Sequence, residues 1–312
     1  MDKILLVDGN SLLHRAYHAY PRLTTPAGEV VGAVYGFTTM LLTAIEKLTP
    51  THVAIAWDVS KVTFRHKDYA LYKAGRPEMD QDLVDQIDRT KEVVTTLNIP
   101  QFGVENYEAD DVIGTLSQQA IESSADCQVV ILTGDRDALQ LVTERKIVVY
   151  MPSSAGSYGR ARPAADRGVS LYDDLAVKAK YSLTPSQIID LKGLMGDSSD
   201  NIKGVAGVGQ VTATKLLLEA GSIDRIYEKL DDLNVSARVK ELLRLGKEDA
   251  FLSRQIATIN KNVPIKLSWD DCKLADYDRD KVLLLFNELN FKSLTNRLPK
   301  DSWEEDLESV FK

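Results

Sequence analysis

Residues 106–113 have the sequence Asn106-Tyr107-Glu108-Ala109-Asp110-Asp111-Val112-Ile113, which places three carboxylates within four positions. An apolar helical pattern begins at the same point and continues through Leu116 and Ala120, which predicts a helix with an acidic first turn. Taken alone, this equally describes an ordinary surface helix, because the N-terminal dipole of a helix favours acids. Acids at the ends of hydrophobic strands elsewhere in the chain favour a functional site.

Short apolar segments that alternate with helical patterns predict the fold. The predicted buried strands are 3–7, 52–57, 128–132 and 146–150, and the predicted helices between them include 10–20, 30–48 and 80–97. This alternation predicts a parallel α/β sheet flanked by helices. Residues 152–168 are rich in Gly, Ser, Ala, Pro and Arg, which predicts a flexible loop. From Leu171 onward the patterns are mostly helical.

Asp8, Asp58 and Asp135 each follow a predicted strand directly or within one turn. In open α/β sheets ligands bind outside the carboxyl ends of the strands, so these acids should meet at one edge. The remaining candidates are Glu108, Asp110 and Asp111 at the helix start, Asp137 beyond the third strand, and Asp197 and Asp200 in a later loop. Asp197 and Asp200 share a face if their turn is helical.

The nine carboxylates have no matching set of basic side chains among them in the sequence, so they should repel one another strongly. Hard Mg²⁺ or Mn²⁺ ions prefer such oxygen ligands. Two ions about 4 Å apart can activate a water and stabilise the leaving oxygen of a phosphodiester. The set lacks His and Cys, which argues against zinc. For any single acid, a helix cap or a strand-end turn stays the alternative.

Basic and aromatic residues interleave in Phe64–Arg76, just after Asp58. Basic side chains can hold phosphates and aromatic faces can stack on bases. Lys73 and Arg76 are three apart and could face the same phosphate. The alternative is a solvated, charged helix face.

Residues 204–209, GVAGVG, lie between two helical patterns and predict a glycine-rich hairpin. Glycines let backbone amides approach a phosphate at a helix N-terminus. The segment does not follow a strand and no Gly-Lys-Ser/Thr follows it, which excludes a dinucleotide fingerprint and a P-loop. A tight helix–helix turn without a ligand is the alternative.

Composition sets broader limits on the 312 residues. Hydrophobic residues make up 44% and charged residues 27%, as in ordinary globular proteins. No apolar run has the length of a membrane helix, and no signal peptide is evident at the start. Two distant cysteines, Cys127 and Cys272, fit buried apolar positions in a reducing cytoplasm. The net charge of −8 alone argues against nucleic acid, but metal-binding carboxylates would inflate the acidic count.

Six motifs in this order and spacing resemble the 5′ nuclease (flap endonuclease) superfamily, and most of all the 5′→3′ exonuclease domain at the N-terminus of bacterial DNA polymerase I. They are LLVDGNSLLHRAYHA, AVYGF, FRHKDYALYKAGRPEM, YEADDVIGTL, LTGDRDALQL and GLMGDSSDNIKGVAGVGQVTATKLL. The resemblance extends from about Lys3 to about Leu298.

This resemblance implies a PIN-like α/β core over 1–168 with a helical gateway at about 60–98. It implies a helical DNA-binding region over 169–298 with a helix-three-turn-helix (helix-hairpin-helix) at about 188–219, followed by an acidic tail or linker at 299–312. The implied activity is a structure-specific 5′→3′ exonuclease and flap endonuclease of replication and repair. The implied partners are DNA with a 5′ flap, nick or 5′ end, and RNA–DNA hybrids. We expect a monomer without membrane contact, in the bacterial cytoplasm and associated with the nucleoid.

The resemblance also implies roles for individual residues. The first metal would use Asp8, Asp58, Glu108, Asp110 and Asp111, and the second Asp135, Asp137, Asp197 and Asp200. Lys73 and Arg76 would steer the scissile phosphate. Backbone oxygens near Leu194, Met195, Lys203, Val205 and Val208 would hold K⁺. Contacts to DNA would come from His14, Arg15, Arg65, Gly204, Gly207, Gly209, Thr212 and Lys215.

Three features depart from the family pattern. Relatives usually have Tyr or Phe where this chain has His14, and an imidazole is a smaller stacking surface. Relatives tend to have Pro where this chain has Lys203, which weakens the K⁺ prediction. Residues 152–168, with Arg160, Arg162 and Arg167, are longer and more basic than usual.

Two other classes of function stay open. The first is a non-catalytic DNA-junction binder of the same fold, against which the complete set of acids argues. The second is a metal-dependent phosphatase or phosphotransferase for small metabolites, against which the basic gateway and the helical C-terminal half argue.

Overall fold

A six-stranded sheet lies at the centre of the computed structural model, which describes residues 2–124, 126–144, 146–152, 169–274 and 277–300. The strands are β1 (Lys3–Asp8), β2 (His52–Ala56), β3 (Gln101–Phe102), β4 (Gln128–Leu132), β5 (Ile147–Pro152) and β6 (Val169–Tyr172). Their order is β3-β2-β1-β4-β5-β6. The first five are parallel, which confirms the predicted parallel sheet.

Two strands were not predicted. β3 has only two residues and pairs with the end of β2, so it is too short for any periodicity to show. β6 pairs antiparallel with β5, where the sequence predicted mostly helix from Leu171. The sequence did not indicate this strand, because a four-residue edge strand is defined by its pairing partner and not by its own pattern. The predicted loop over 152–168 and the tail over 299–312 lie largely outside the described residues.

Twelve α-helices are present in the described part of the chain. They are α1 (Gly9–Ala19), α2 (Gly32–Leu48), α3 (Phe64–Asp68), α4 (Gln81–Thr96), α5 (Ala109–Ser123), α6 (Asp174–Tyr181), α7 (Gln187–Met195), α8 (Gln210–Ala220), α9 (Ile223–Glu228), α10 (Ala237–Leu245), α11 (Lys247–Ala257) and α12 (Arg279–Glu288). Short 3-10 helices occupy 137–141, 270–272 and 295–297. No helix in these ranges is both long and apolar enough to cross a membrane.

Alternate side chains of β1 enter two different cores, as the pleat of a strand requires. Leu5 and Val7 pack with residues of α1, α2, α4 and α12 on one face. Ile4 and Leu6 pack with α5 and the 137–141 segment on the other. A third core joins the C-terminal helices α7 to α11. The sheet is therefore covered on both faces, and its strand ends are the open edge.

The order of the strands changes direction between β1 and β4. The chain runs outward through β2 and β3 on one side of β1, then returns to add β4 and β5 on the other. Ligands of open α/β sheets bind at the carboxyl ends of the strands beside such a switch point. Asp8 ends β1, and Asp135 follows β4 by three residues.

Candidate active site

Asp8 is fixed at the end of β1 by two hydrogen bonds. It caps α1, because its Oδ1 accepts from the Ser11 amide at 3.0 Å. Its Oδ2 accepts from the Thr133 hydroxyl at 2.8 Å, which ties it to the end of β4. The Thr133 hydroxyl also accepts from the Asp135 amide at 3.0 Å. Neighbouring strand ends thus hold Asp8 and Asp135 side by side.

Asp58 joins the end of β2 to the start of α5. Its Oδ1 accepts from the Ala109 amide at 2.7 Å, and its own amide donates to Asn10 at 2.8 Å. Asp110, the next residue of α5, is half-buried and has no hydrogen bond or ion pair to its carboxylate within the described ranges. We call Asp8, Asp58, Asp110 and Asp135 the strand-end group.

Burial and mutual repulsion raise pKa values within this group. Burial, followed by repulsion from Asp58 and Asp135, raises the pKa of Asp8 to about 7. Burial and then Asp135 raise the pKa of Asp110 well above its ordinary value. Burial also raises the pKa of Asp58, with Glu108 adding to the effect. The strand-end acids therefore repel one another and resist ionising together.

The other five acids are each paired with a cation, which corrects the expectation that no basic set matches the nine carboxylates. Lys73 binds Glu108 at 2.9 Å, Arg76 binds Asp200, Lys192 binds both Asp137 and Asp197, and Arg65 binds Asp111. The basic residues are distant in sequence from most of their partners, so the sequence did not reveal the pairing. We call Glu108, Asp137, Asp197 and Asp200 the cation-paired group.

Asp111 belongs to neither group. Its two oxygens accept four hydrogen bonds: two from Arg65 at 2.7 Å each, one from the Glu108 amide at 3.1 Å and one from the Asn260 amide at 2.7 Å. A carboxylate has about four lone-pair sites, so this one is saturated, and it is fully buried. This corrects the prediction that Asp111 is a metal ligand, because no lone pair is left for a metal.

Arg65 is likewise not available to DNA, contrary to the sequence prediction. It is 3% exposed, and it donates to the Ile256 and Thr258 carbonyls as well as to Asp111. The arginine therefore joins the base of the gateway to α5 and to the end of α11. Its role is internal, because the side chain is buried and four of its five N–H donors are used within the protein.

Sequence reasoning missed Tyr72, which is buried between Glu108 and Asp200 of the cation-paired group. Its hydroxyl lies 3.1 Å from Glu108 Oε2 and 3.2 Å from Asp200 Oδ2. Burial, and then the charges of Glu108 and Asp200, raise the pKa of Tyr72 strongly, so the hydroxyl stays protonated as a donor. No signal in the sequence distinguished it from the other aromatic residues of 64–76.

Lys192, on α7, was also missed. It contacts Asp137 and lies 2.6 Å from Asp197. Burial would raise the pKa of Asp197, but hydrogen bonds from Lys192 and Ser199 lower it to about 2. Asp137 keeps a pKa of about 7, because burial and Asp135 outweigh the attraction of Lys192. Asp137 therefore interacts with both groups: it pairs with Lys192, and Asp135 of the strand-end group repels it.

The turn that carries Asp197 and Asp200 is not helical. The Asp197 and Ile202 backbones exchange two hydrogen bonds of 2.8 Å across an antiparallel bridge. The condition under which Asp197 and Asp200 would share a helical face is therefore not met. The amide of Lys73 donates to the Asp200 carbonyl at 2.9 Å, so the gateway holds this turn directly.

The glycine-rich hairpin between α7 and α8 matches the predicted helix-hairpin-helix outline. Gly204 has φ +61°, and a Cβ there would lie 2.2 Å from the Gly196 amide nitrogen. Gly207 has φ +84°. The carbonyls of Leu194 and Val205 each accept one backbone bond, from Val205 and Val208. The second lone pair of each carbonyl is available to a cation. The K⁺ site over Leu194, Met195, Lys203, Val205 and Val208 stays a prediction.

The remaining predicted DNA contacts lie at two places. His14 is exposed on α1, and Arg15 lies beside Gly134 at the end of β4. Thr212 and Lys215 are on α8, where the Lys215 ammonium donates to the Asn234 carbonyl at 3.0 Å. Gly209 precedes α8, and a Cβ there would meet no atom within 4 Å. The α8 N-terminus is therefore sterically open.

A hard divalent cation fits the strand-end group chemically, because all its donors are oxygens and none of them forms an ion pair with a side chain of the described residues. Among the described residues, no three His, Cys, Asp or Glu side chains form a ready-made coordination shell. Mg²⁺ usually keeps several waters and uses only one or two carboxylates directly, so an open arrangement suits it. The residues that would hold such ions are the strand-end and cation-paired groups.

Two solved structures, T5 5′-exonuclease and the catalytic core of Rad2, share this fold. T5 5′-exonuclease with bound zinc ions superposes with a TM-score of 0.65 at 20% identity, covering 93% of this chain and 98% of that one. The catalytic core of Rad2 in complex with DNA substrate superposes with a TM-score of 0.58 at 16% identity, covering 95% of this chain and 91% of that one. At these identities the likeness concerns the fold alone.

Sequence profiles identify the family. The profile described as 5′-3′ exonuclease, N-terminal resolvase-like domain, matches residues 3–182, and that described as 5′-3′ exonuclease, C-terminal SAM fold, matches 183–280. The chain therefore belongs to the 5′-3′ exonuclease family and is a nuclease of that family. It is 39% identical over 304 residues to DNA polymerase I of Bacillus caldotenax, covering 97% of this chain and 33% of that protein. The chain spans about a third of the length of the curated relatives it matches.

Proposed function

We propose that this nuclease is a structure-specific 5′→3′ exonuclease and flap endonuclease that uses two Mg²⁺ or Mn²⁺ ions. Its substrates would be DNA with a 5′ flap, nick or 5′ end, and RNA primers in RNA–DNA hybrids. The observation that carries the proposal is the strand-end group, four acids without cation partners among the described residues, at the switch point of the sheet. A protein that only bound DNA would gain nothing from such charge beside phosphates.

Divalent ions, when bound, would activate a water for attack and stabilise the leaving oxygen. The chain's own residues position everything else. Thr133 and Ser11 orient Asp8, and the Tyr72 hydroxyl lies within hydrogen-bond distance of both Glu108 and Asp200 and shares its single proton between them. These fixed hydrogen bonds keep the carboxylates in place before substrate arrives, which is what electrostatic preorganisation requires.

Lys73 and Arg76 would guide the scissile phosphate. Both now neutralise acids of the cation-paired group, and Lys73 has φ +54°, held by the hydrogen bond of its amide to Asp200. Once other positive charge neutralises Glu108 and Asp200, the two side chains can transfer their hydrogen bonds to phosphate oxygens. Arginine and lysine donors to phosphate are charge-assisted and therefore among the stronger hydrogen bonds.

The helical hairpin would grip duplex DNA away from the cut. The open α8 N-terminus and the left-handed glycines favour contact between backbone amides and phosphates. A K⁺ ion on the nearby carbonyls would add charge there. We further propose that the chain acts as a monomer in replication and repair at the bacterial nucleoid, which the similarity to bacterial DNA polymerase I supports.

Single-turnover cleavage of a 5′-labelled double-flap DNA, with Mg²⁺ and with EDTA, tests the proposal. We expect a metal-dependent product within a few nucleotides of the junction. Tight flap binding without any product would instead support the junction binder. A matched RNA-flap substrate tests the primer assignment separately.

A further inference from the structure

Two of the four histidines of the chain lie on one exposed face of α1. His14 and His18 are one helical turn apart, and both are exposed. Their Nε2 atoms are 3.4 Å apart, and the ring centroids are 4.5 Å apart in an edge-to-face arrangement. The other two histidines are engaged elsewhere: His52 packs against Trp269, and His66 caps α3 through Thr63.

The separation of the two nitrogens matches that of ligands on one metal ion. Two Zn–N bonds of about 2.05 Å at a tetrahedral angle span about 3.3 Å between nitrogens. Two histidines four residues apart on one helix face are also the arrangement that binds zinc in metalloprotease helices. We propose that His14 and His18 form a site for a late transition-metal cation of the Zn²⁺ class, separate from the carboxylates.

The chemistry of the pair distinguishes it from the strand-end group. Imidazole nitrogens suit Zn²⁺, Ni²⁺ and Cu²⁺, whereas carboxylate oxygens suit Mg²⁺ and Mn²⁺. With two protein ligands, the remaining positions are open to water, so the ion would exchange readily. The carboxylate of Asp80, which accepts from the Tyr17 hydroxyl at 3.1 Å, adds negative charge near His14.

Without metal, one ring must donate its Nε2 proton to the other. Metal binding requires that this ring carry its proton on Nδ1 instead, and an exposed ring can exchange tautomers through water. Partial burial, His18 and Arg76 lower the pKa of His14, so the neutral, ligating form prevails at physiological pH. A hydrogen bond between the rings and a bound metal are therefore alternative states of the same geometry.

Calorimetric titration with Zn²⁺ in excess Mg²⁺ tests the proposal on the whole chain. We expect one Zn²⁺ fewer, or an affinity lower by about ten-fold or more, for His14→Gln and for His18→Gln. The matched control is His18→Gln combined with Ala19→His, which keeps four histidines but moves the second one off the shared face. It should bind as weakly as the single variants.

A second readout identifies the ligands directly. Cu²⁺ added at one equivalent should show nitrogen hyperfine coupling by electron paramagnetic resonance, and this coupling should weaken in each variant. Equal Zn²⁺ stoichiometry and affinity in all four proteins, with unchanged Cu²⁺ spectra, would overturn the proposal. Far-ultraviolet circular dichroism confirms that the exposed substitutions leave the fold intact. The result does not depend on whether the chain cleaves flaps, so this site and the proposed activity stand or fall separately.

Discussion

The strand-end group and the cation-paired group lie side by side but are held in place differently. Strand ends and backbone amides position Asp8, Asp58 and Asp135, and no side-chain cation among the described residues forms an ion pair with them. Lys73, Arg76 and Lys192 form ion pairs with the second group, and most of these pairs join elements that are distant in sequence. The carboxylates of the first group are therefore held in place by the backbone and have no ion-pair partner among the described residues. The second can change partners, because a side-chain cation can turn to a phosphate.

Arg65 gives the largest expected effect, since its ion pair with Asp111 belongs to neither group and is fully buried. Arg65→Met leaves Asp111 as an unpaired buried charge, so the free energy of unfolding should fall by about 3–5 kcal/mol in urea denaturation. Arg22, which pairs with Asp82 at the surface, is the matched control, and Arg22→Met should cost at most about 1 kcal/mol. A similar small loss for both variants would show that the Arg65 pair is not a structural anchor.

Asp110 and Asp111 are adjacent, yet they should respond in opposite ways. Asp110→Asn should lower single-turnover cleavage by more than about a hundred-fold, because it removes charge from the strand-end group. The free energy of unfolding of this variant should stay the same or rise, because the substitution relieves the repulsion among the strand-end acids. Asp111→Asn should instead lower stability. If Asp110→Asn cleaved normally, Asp110 would have no part in the site.

Lys73 tests whether the cation-paired group changes partners. Lys73→Met should slow the chemical step by about ten-fold or more while flap affinity changes less. Single-turnover rates and fluorescence-anisotropy titrations of the same flap separate the two effects. Lys281→Met is the matched control, because Lys281 pairs with Asp278 at the start of α12, outside the acidic edge. A loss confined to affinity would make Lys73 a docking residue.

The smallest expected effect concerns pH in the absence of divalent ions. Asp8 and Asp137 have folded-state pKa values of about 7, above their ordinary 3.8, so folding binds protons. Stability should therefore fall by at least about 1 kcal/mol as pH rises from about 4 to about 7 in EDTA. Asp197, with its pKa near 2, contributes stability that is complete above pH 4 and is lost only in stronger acid.

Asp8→Asn should reduce that slope, and excess Mg²⁺ should flatten it, because a cation would compensate the ionised acids. Chemical denaturation at several pH values measures both. A flat profile in EDTA would show that the strand-end acids do not carry the predicted repulsion.

The sequence by itself determined the parallel sheet, the helical hairpin and the strand-end acids. Hydrophobic strands end where Asp8, Asp58 and Asp135 stand, and parallel strands bring their carboxyl ends to one edge by geometry alone. These are local signals combined with a general rule of sheet topology. The family motifs added the candidate roles of Lys73, Arg76 and the hairpin glycines.

Only the tertiary structure decided which acids are neutralised and by which residues. Asp111 looked identical to Asp110 in sequence, yet Arg65, 46 residues away, saturates it. Lys192 meets Asp137 across 55 residues, and Tyr72 meets Asp200 across 128. Such contacts depend on the path of the chain, not on spacing, because an ion pair requires proximity in space alone. The edge strand β6 is a further example, because it is a strand only through its antiparallel pairing with β5.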